Sequence, residues 1–323
     1  MRATTFAALL IGAGSIAGLQ AATAQEYPTR EIKTICAFAP GTGADIVVRY
    51  YAQKLSELAG KPVVTDNKPG AQGLLGTEAA LRSKPDGYTI SINPASSTLA
   101  ASTHLFKKLS FDPLKDADFA GMILSTVFVL IVPPSSGINS VADLTKKLKD
   151  KKEGDSFYAG STNTGIVASE IYKKAIGVDV KRVNYRSAFD AMNEMNSGKI
   201  DFFFTDSTSA LGQIAAGKYK AIAITSAKRS ENFPGVPTMT ELGYPMDIAP
   251  WWGVIVPAGT PKPIIDKLAV WFDKISDMPE TKEFLRKSGL EPLKGNAAAM
   301  RKLLIEDTAR WGEWVKLANI EVQ

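Results

Sequence analysis

From residue 32 almost to the C-terminus, short runs of β-branched and aromatic residues alternate with stretches of helical periodicity. That alternation admits few architectures. "IKTICAF" (32–38) reads as a strand. In "ADIVVRYYAQKLSELAG" (44–60), Val47, Tyr51, Leu55 and Leu58 recur at helical spacing, and Gly60 is suited to end the helix. "PVVTDN" (62–67) is a second strand, "GLLGTEAALRS" (73–83) a helix and "YTISIN" (88–93) a third strand. This βαβα order predicts an α/β fold with a mostly parallel sheet covered by helices.

After "DFAGMIL" (118–124) and "VFVLIVPP" (127–134) the pattern restarts and runs through four further helix-like and strand-like pairs to "YKAIAITS" (219–226). Two α/β lobes follow. The tail, "WWGVIVPAGTPKPIIDKLAVWFDKI" (251–275), adds a strand, a turn and a helix with Pro261 at its start, and a last helix spans about Ala297 to Leu317. Such a tail can return to the first lobe. The expected division is lobe 1 from 25–125 and 229–323, discontinuous in sequence, and lobe 2 from 126–228.

The first residues stand apart. Met1-Arg2 begins a basic start, "FAALLIGAGSIAGL" (6–19) is an uncharged apolar stretch, and "ATA" (22–24) has small residues at the A-x-A positions. This predicts a secretory signal peptide, 1–24, cleaved after about Ala24, and a periplasmic protein. The glycines of "GAGSIAG" (12–18) resemble a dinucleotide fingerprint, but no strand precedes them and they fall inside the leader. The net charge is +5, and loss of Arg2 leaves +4. Basic and acidic residues are interspersed, so nucleic-acid binding is not supported, although a mild positive field attracts small anions.

Catalytic signatures are sparse. His104 is the one histidine, and no G-x-S-x-G elbow exists for it to serve. A zinc site needs several His or Cys ligands, and the chain has one of each, Cys36 being placed inside an apolar run. "GSTNTGIV" (160–167) has the glycine spacing of a phosphate loop, but Ile166 and Val167 stand where a lysine and a hydroxyl are required. No cofactor and no metal are expected. Carboxylates are plentiful, and no spacing singles out a catalytic pair.

Three glycine-containing turns remain: "FAPGTGAD" (38–45), "GAQGLLG" (70–76) and "AGSTNTG" (159–165). The first and third follow strands and open helices. Ligands of open α/β sheets bind outside the carboxyl ends of strands, where free N–H groups and helix dipoles favour an anion.

At this point the sequence resembles the tripartite tricarboxylate transporter receptors, or Bug proteins, which are periplasmic solute-binding proteins. The resemblance runs from "YPTREIKTICAFAPGTGADIVVRYYAQKLSELAGKPVVTDNKPGAQGLLGTEAA" through "KPDGYTI", "VNYRSAFDAMNEMNSGKIDFFFTD" and "GVPTMTELGYP" to "WWGVIVPAGTPKPIIDKL". It implies a two-lobed, type II-like periplasmic binding protein fold that closes by hinge motion on an organic acid. It also implies a monomer that hands its ligand to the membrane subunits of a transporter. One carboxylate is then gripped by Phe38, Ala39, Pro40, Gly41, Thr42, Gly43 and Asp45 from the first lobe and by Ser161, Thr162, Asn163 and Thr164 from the second. The sequence departs from the family in both grips. Thr42 stands where a glycine is usual and Ala39 where a proline is common. Ile166-Val167 replaces a histidine-leucine pair.

Further candidates follow strands. Tyr185 and Arg186 should face the cleft, with Arg186 suited to a second carboxylate and Tyr185 and Phe38 flanking a flat or long ligand body. Ser96 and Ser97 follow strand "YTISIN". Asp206 would repel an anion, which suits it to capping a helix or meeting a ligand amine. These features predict capture of an organic carboxylate, with an aromatic or long-chain dicarboxylate favoured. The alternatives are a protein that presents ligand to a membrane sensor and an α/β hydrolase of the periplasm.

Overall fold

The computed structural model describes residues 26–322. The expected signal peptide lies outside the described residues. Two sheets form the molecule. The first has six strands in the order β11-β4-β10-β3-β1-β2, and the second has five in the order β7-β6-β8-β5-β9.

Strand β1 (Ile32–Cys36) lies between β2 (Val63–Asn67) and β3 (Thr89–Asn93), parallel to both. Between β1 and β2, α1 (Gly43–Ala59) buries Val47, Val48, Tyr51, Ala52 and Leu55 along one face. Thr42 caps its start, and Gly60, at φ 63°, ends it in the left-handed region, where glycine pays no steric penalty. Helix α2 (Leu74–Leu81) connects β2 to β3, and α3 (Ser102–Leu105) follows a π-helical turn at Ser96–Ala100.

Strand β4 (Ala117–Thr126) carries the chain out of the first sheet, and β5 (Phe128–Val132) begins after a single residue, Val127, in the second. Helix α4 (Val141–Asp150), β6 (Phe157–Gly160), α5 (Asn163–Ile176), β7 (Lys181–Asn184), α6 (Ala188–Asn196), β8 (Phe202–Asp206), α7 (Ser207–Ala215) and β9 (Lys220–Ile224) complete that sheet. Strand β10 (Trp251–Pro257) re-enters the first sheet, followed by α8 (Lys262–Asp277), α9 (Pro279–Lys287), β11 (Leu290–Gly295) and α10 (Ala297–Ala318).

Strand β5 is buried along its whole length because both faces of its sheet are covered. Phe128, Leu130 and Val132 enter one core with Phe202 and Phe204, whereas Val129 and Ile131 enter another with Phe203. The two-residue period thus sends alternate aromatics of "DFFFTD" to opposite faces, and a continuous apolar run results.

Most strands of each sheet share one direction, as expected, but both sheets are mixed. In the second, β5 is inserted antiparallel between β8 and β9, and in the first β10 is inserted antiparallel between β3 and β4. These are the strands that bring the chain across from the other sheet. The strands followed by α1, α5 and α7 run toward the cleft between the sheets. A strand arriving across that cleft runs away from it.

Candidate functional site

A cavity of about 60 Å³ lies between the two sheets, lined by residues of both. Its walls come from the carboxyl ends of the outgoing strands and the first residues of the helices that follow. The starts of the reversed strands supply the rest.

The first lobe contributes Phe38, Thr42, Gly43, Ala44 and Ser97. Thr42 Oγ1 donates to the Ala39 carbonyl at 2.8 Å and accepts from the Asp45 N–H at 3.3 Å. Its one proton is therefore committed within the turn, and the ligand-facing donors at this place are backbone groups. The N–H groups of Gly43 and Ala44, the first two of α1, have no acceptor among the described residues, as the start of a helix requires.

Asp45 does not line the cavity. It is buried behind the turn, where Oδ2 accepts from the Gly41 N–H at 2.9 Å and from Arg49 Nε at 2.8 Å, and Oδ1 accepts from Asn67 Nδ2 at 2.8 Å. Burial pushes its carboxyl up, but Arg49, the Gly41 N–H and Asn67 together outweigh burial and hold it below the usual carboxylate range. A carboxyl depressed in the folded state stabilises the fold above its unfolded pKa, and that contribution is lost as pH falls through the folded value. Asp45→Asn is expected to cost about 2 kcal/mol at pH 7 by weakening hydrogen bonds to a charged group. Melting curves from pH 7 down to pH 2 should show the gap between wild type and variant closing at the acid end. A gap independent of pH would exclude this role.

The second lobe contributes Ser161, Thr162, Thr164, Arg186, Ser187, Ala188, Asp206, Thr208 and Ser209. Three helices begin here. Thr162 caps α5 by accepting from the Gly165 N–H, Ser187 caps α6 by accepting from the Asp190 N–H, and Asp206 caps α7 by accepting from the Ser209 N–H at 2.9 Å. The first N–H groups of α5, on Asn163 and Thr164, again have no acceptor among the described residues. Glycine at 165 is required by close approach, since a Cβ there would stand 2.4 Å from the Phe204 carbonyl oxygen.

The lobes touch across the cavity. A Cβ on Gly43 would stand 2.3 Å from Asp206 Oδ1 and 3.0 Å from Ser209 Oγ, so α1 and α7 meet almost backbone to side chain. Asn163 Nδ2 donates to the Ser97 carbonyl at 3.2 Å. Near the crossing point, the hydroxyls of Thr126 and Ser207 bond at 2.9 Å, and the Thr126 N–H donates to the Pro250 carbonyl at 2.8 Å. Desolvation between the lobes pushes the Asp206 carboxyl up, against hydrogen bonds from the start of α7.

Several residues expected from the sequence stand elsewhere. Ala39, Pro40 and Gly41 form the turn behind Thr42 without lining the cavity. Ser96 is buried and accepts from Trp311 Nε1 at 3.1 Å. Asn163 faces the Ser97 carbonyl. The Tyr185 ring packs against the core on the far face of the second sheet and does not flank the cavity. The loop 70–73 sits behind the site. Ala71 and Gln72 there take positive φ values of 43° and 54°, a conformation costly for non-glycine residues, and Gly73 packs against the Phe38 ring. His104 lies away from the cavity, its Nε2 2.8 Å from the Thr308 carbonyl oxygen, and burial pushes the Cys36 thiol up to about 12.

Sequence reasoning missed Phe128, Trp252 and Leu290, which line the cavity from the first residues of β5, β10 and β11. With Phe38 they supply its apolar walls. Trp252 Nε1 is buried without a hydrogen-bond partner. Among the described residues no group of three or more His, Cys, Asp or Glu is placed to hold a metal, and no helix is long and apolar enough to cross a membrane.

BugT of Bordetella pertussis is 29% identical over 296 residues, covering 91% of each chain. The structure of the periplasmic binding protein BugD superposes with a TM-score of 0.85 at 29% identity, covering 92% of this chain and all of that one. R. palustris Rpa4515, solved with adipate, gives a TM-score of 0.86 at 27% identity, covering 91% of this chain and 99% of that one. The model of the tripartite tricarboxylate transporter family receptor, TctC, matches residues 47–320. The chain therefore belongs to the tripartite tricarboxylate transporter receptor family of solute-binding proteins, with their two-lobed fold.

Proposed function

We propose that the protein captures an organic carboxylate between its lobes and delivers it to the membrane subunits of a tripartite tricarboxylate-type transporter. One observation carries this reading: the starts of α1, α5, α6 and α7 converge on one cavity, with N–H groups of the first two lacking acceptors. Each helix start carries about half a positive charge, so those of α1, α5 and α6 favour an anion, with Arg186 beside them, while the Asp206 carboxylate occupies the start of α7. A hydrogen bond to a charged group contributes about 1.5–3 kcal/mol, so three or four reach micromolar affinity, about −8 kcal/mol. The relative Rpa4515 holds adipate, and the apolar walls of Phe38, Phe128 and Trp252 suit a chain or ring of similar reach.

On this reading the first division between lobes falls at Thr126–Phe128, where 125/126 was expected, and the second falls between β9 and Trp251, where 228/229 was expected. Hinge opening at those crossings admits the ligand. The protein acts as a monomer in the periplasm after its leader, 1–24, is removed.

Thermal-shift titration of the chain from Gln25 onward tests the reading. The panel holds aliphatic and aromatic mono-, di- and tricarboxylates with their amides as neutral controls. Saturable stabilisation by at least one acid and not by its amide is expected, with a rise that grows as ligand exceeds its Kd. Equal shifts with acid and amide, or none with any acid, would overturn it.

A further inference from the structure

Asp307, near the middle of α10, is a buried acid outside the cavity, 2% exposed. Each of its hydrogen-bond partners is a donor. Oδ2 accepts from Trp251 Nε1 at 2.8 Å, and Oδ1 accepts from Arg310 Nη2 at 3.1 Å. Ser96 Oγ accepts from Trp311 Nε1 at 3.1 Å and donates its own proton to the same carboxyl. An indole N–H only donates and a carboxylate only accepts, so an acid suits this place, whereas an amide would turn its NH2 toward one of the donors. Burial pushes the carboxyl up, against these hydrogen bonds and the Arg310 charge.

The two elements that meet at Asp307 both lead to walls of the cavity. Trp251 and Trp252 are adjacent in β10, and the strand sends them to opposite faces. Trp251 lies in one core with Met300, Leu304 and Trp311, whereas Trp252 lies in another and lines the cavity. Pro250 lines the cavity too, and its carbonyl accepts from the Thr126 N–H at 2.8 Å, which joins the two crossings between the lobes. Holding the Trp251 indole therefore holds the strand where it crosses. Ser96 opens the π-helical turn 96–100. The next residue, Ser97, lines the cavity and offers its carbonyl to Asn163 of the second lobe at 3.2 Å.

From this arrangement we infer that Asp307 is a positioning residue for ligand binding: its carboxyl clamps the turn 96–100 to the crossing at 250–252, so that this wall of the cavity and the hinge move as one piece when the lobes close. Asp307 touches no ligand and acts through Ser96 and Trp251. The clamp serves whichever acid the cleft takes, and so goes beyond the carboxylate reading above.

Hydrogen–deuterium exchange of the unliganded chain from Gln25 onward, read by mass spectrometry, tests the clamp without any ligand. Asp307→Ala is expected to speed exchange about ten-fold in two segments at once, 96–101 and 250–254, while β1, β6 and β8 keep wild-type rates. Trp251→Phe, which keeps the carboxyl and its bond to Ser96, should loosen 250–254 alone. The carboxylate panel above then probes the cleft. Asp307→Ala should bind the most stabilising acid of that panel about ten-fold more weakly, well below the Tm of the variant. Faster exchange throughout the protein would mark Asp307 as a general stabiliser and sink the inference, as would loosening of one segment only or wild-type affinity in the folded variant. Should Asp307→Ala not fold, Trp251→Phe and Ser96→Ala remove the two ends of the clamp singly. Each is expected to loosen its own segment and weaken binding, and wild-type exchange in either segment would overturn the clamp. Failure of every acid to bind the wild type would overturn the carboxylate reading and leave the exchange result standing, so the two failures are distinguishable.

Discussion

Gly43→Val is expected to weaken binding of any acid that stabilises the wild type by 100-fold or more, while leaving the unliganded protein folded. Gly43 is the first residue of α1 and its φ is not in the left-handed region, so a side chain there costs the helix nothing in backbone strain. The obstacle is the other lobe. A Cβ would stand 2.3 Å from Asp206 Oδ1, and Asp206 cannot turn aside cheaply because the same oxygen caps α7 through the Ser209 N–H. A β-branched residue adds two further carbons in the same direction. The lobes must then stay apart, and the ligand loses one lobe's share of its contacts. Two lost hydrogen bonds to a charged group amount to about 3–6 kcal/mol, or roughly 100-fold to 10,000-fold in Kd. Calorimetry would read the affinity, and small-angle scattering would read whether ligand still compacts the protein. Wild-type affinity with normal compaction would mean that α1 and α7 do not meet in the bound state.

The alternation of strands and helices was legible because each element carries its own period. "ADIVVRYYAQKLSELAG" shows the helical spacing of α1 without reference to any neighbour, and Thr42 and Gly60 mark its ends. Strand direction has no such local mark. "VFVLIV" and "WWGVIVP" read as strands from their side chains, but that they run away from the cleft follows from the chain having crossed between sheets. That is why Phe128, Trp252 and Leu290 escaped a search of residues that follow strands. They precede the rest of theirs.

Within the site, the sequence located the turns better than it assigned the atoms. Thr42 and Thr162 were expected in the two grips and both line the cavity, where each accepts a helix N–H as cap and Thr42 spends its proton on the Ala39 carbonyl. A hydroxyl before a helix serves the backbone first, because its partner is held one turn away at no cost in chain entropy. Arg186 and Tyr185 are adjacent in the sequence, in the bend between β7 and α6, and their side chains part there. Arg186 accordingly lines the cavity while Tyr185 packs into the far core.

The largest expected loss of stability comes from Trp311, far from the cavity in sequence but joined to its floor. Trp311 lies fully buried on α10, ring to ring with Trp314 at 5.2 Å, and its Nε1 donates to Ser96 Oγ at 3.1 Å. Ser96 begins the π-helical turn that places Ser97 at the cavity and offers the Ser97 carbonyl to Asn163 of the second lobe. Trp311→Ala removes the largest side chain of this contact and leaves a cavity under the turn, for which about 3–5 kcal/mol is expected. For a chain of this size that lowers Tm by roughly 5–8 °C. Trp311→Phe keeps most of the packing and loses the Ser96 hydrogen bond, so its cost should be nearer 1 kcal/mol. Ligand affinity separates anchoring from simple bulk. If α10 holds the turn in place, Trp311→Ala should bind acid about ten-fold more weakly even well below its Tm, and Trp311→Phe only slightly so. A folded Trp311→Ala protein with wild-type affinity would show that the turn keeps its shape without the tryptophan, and that α10 contributes stability alone.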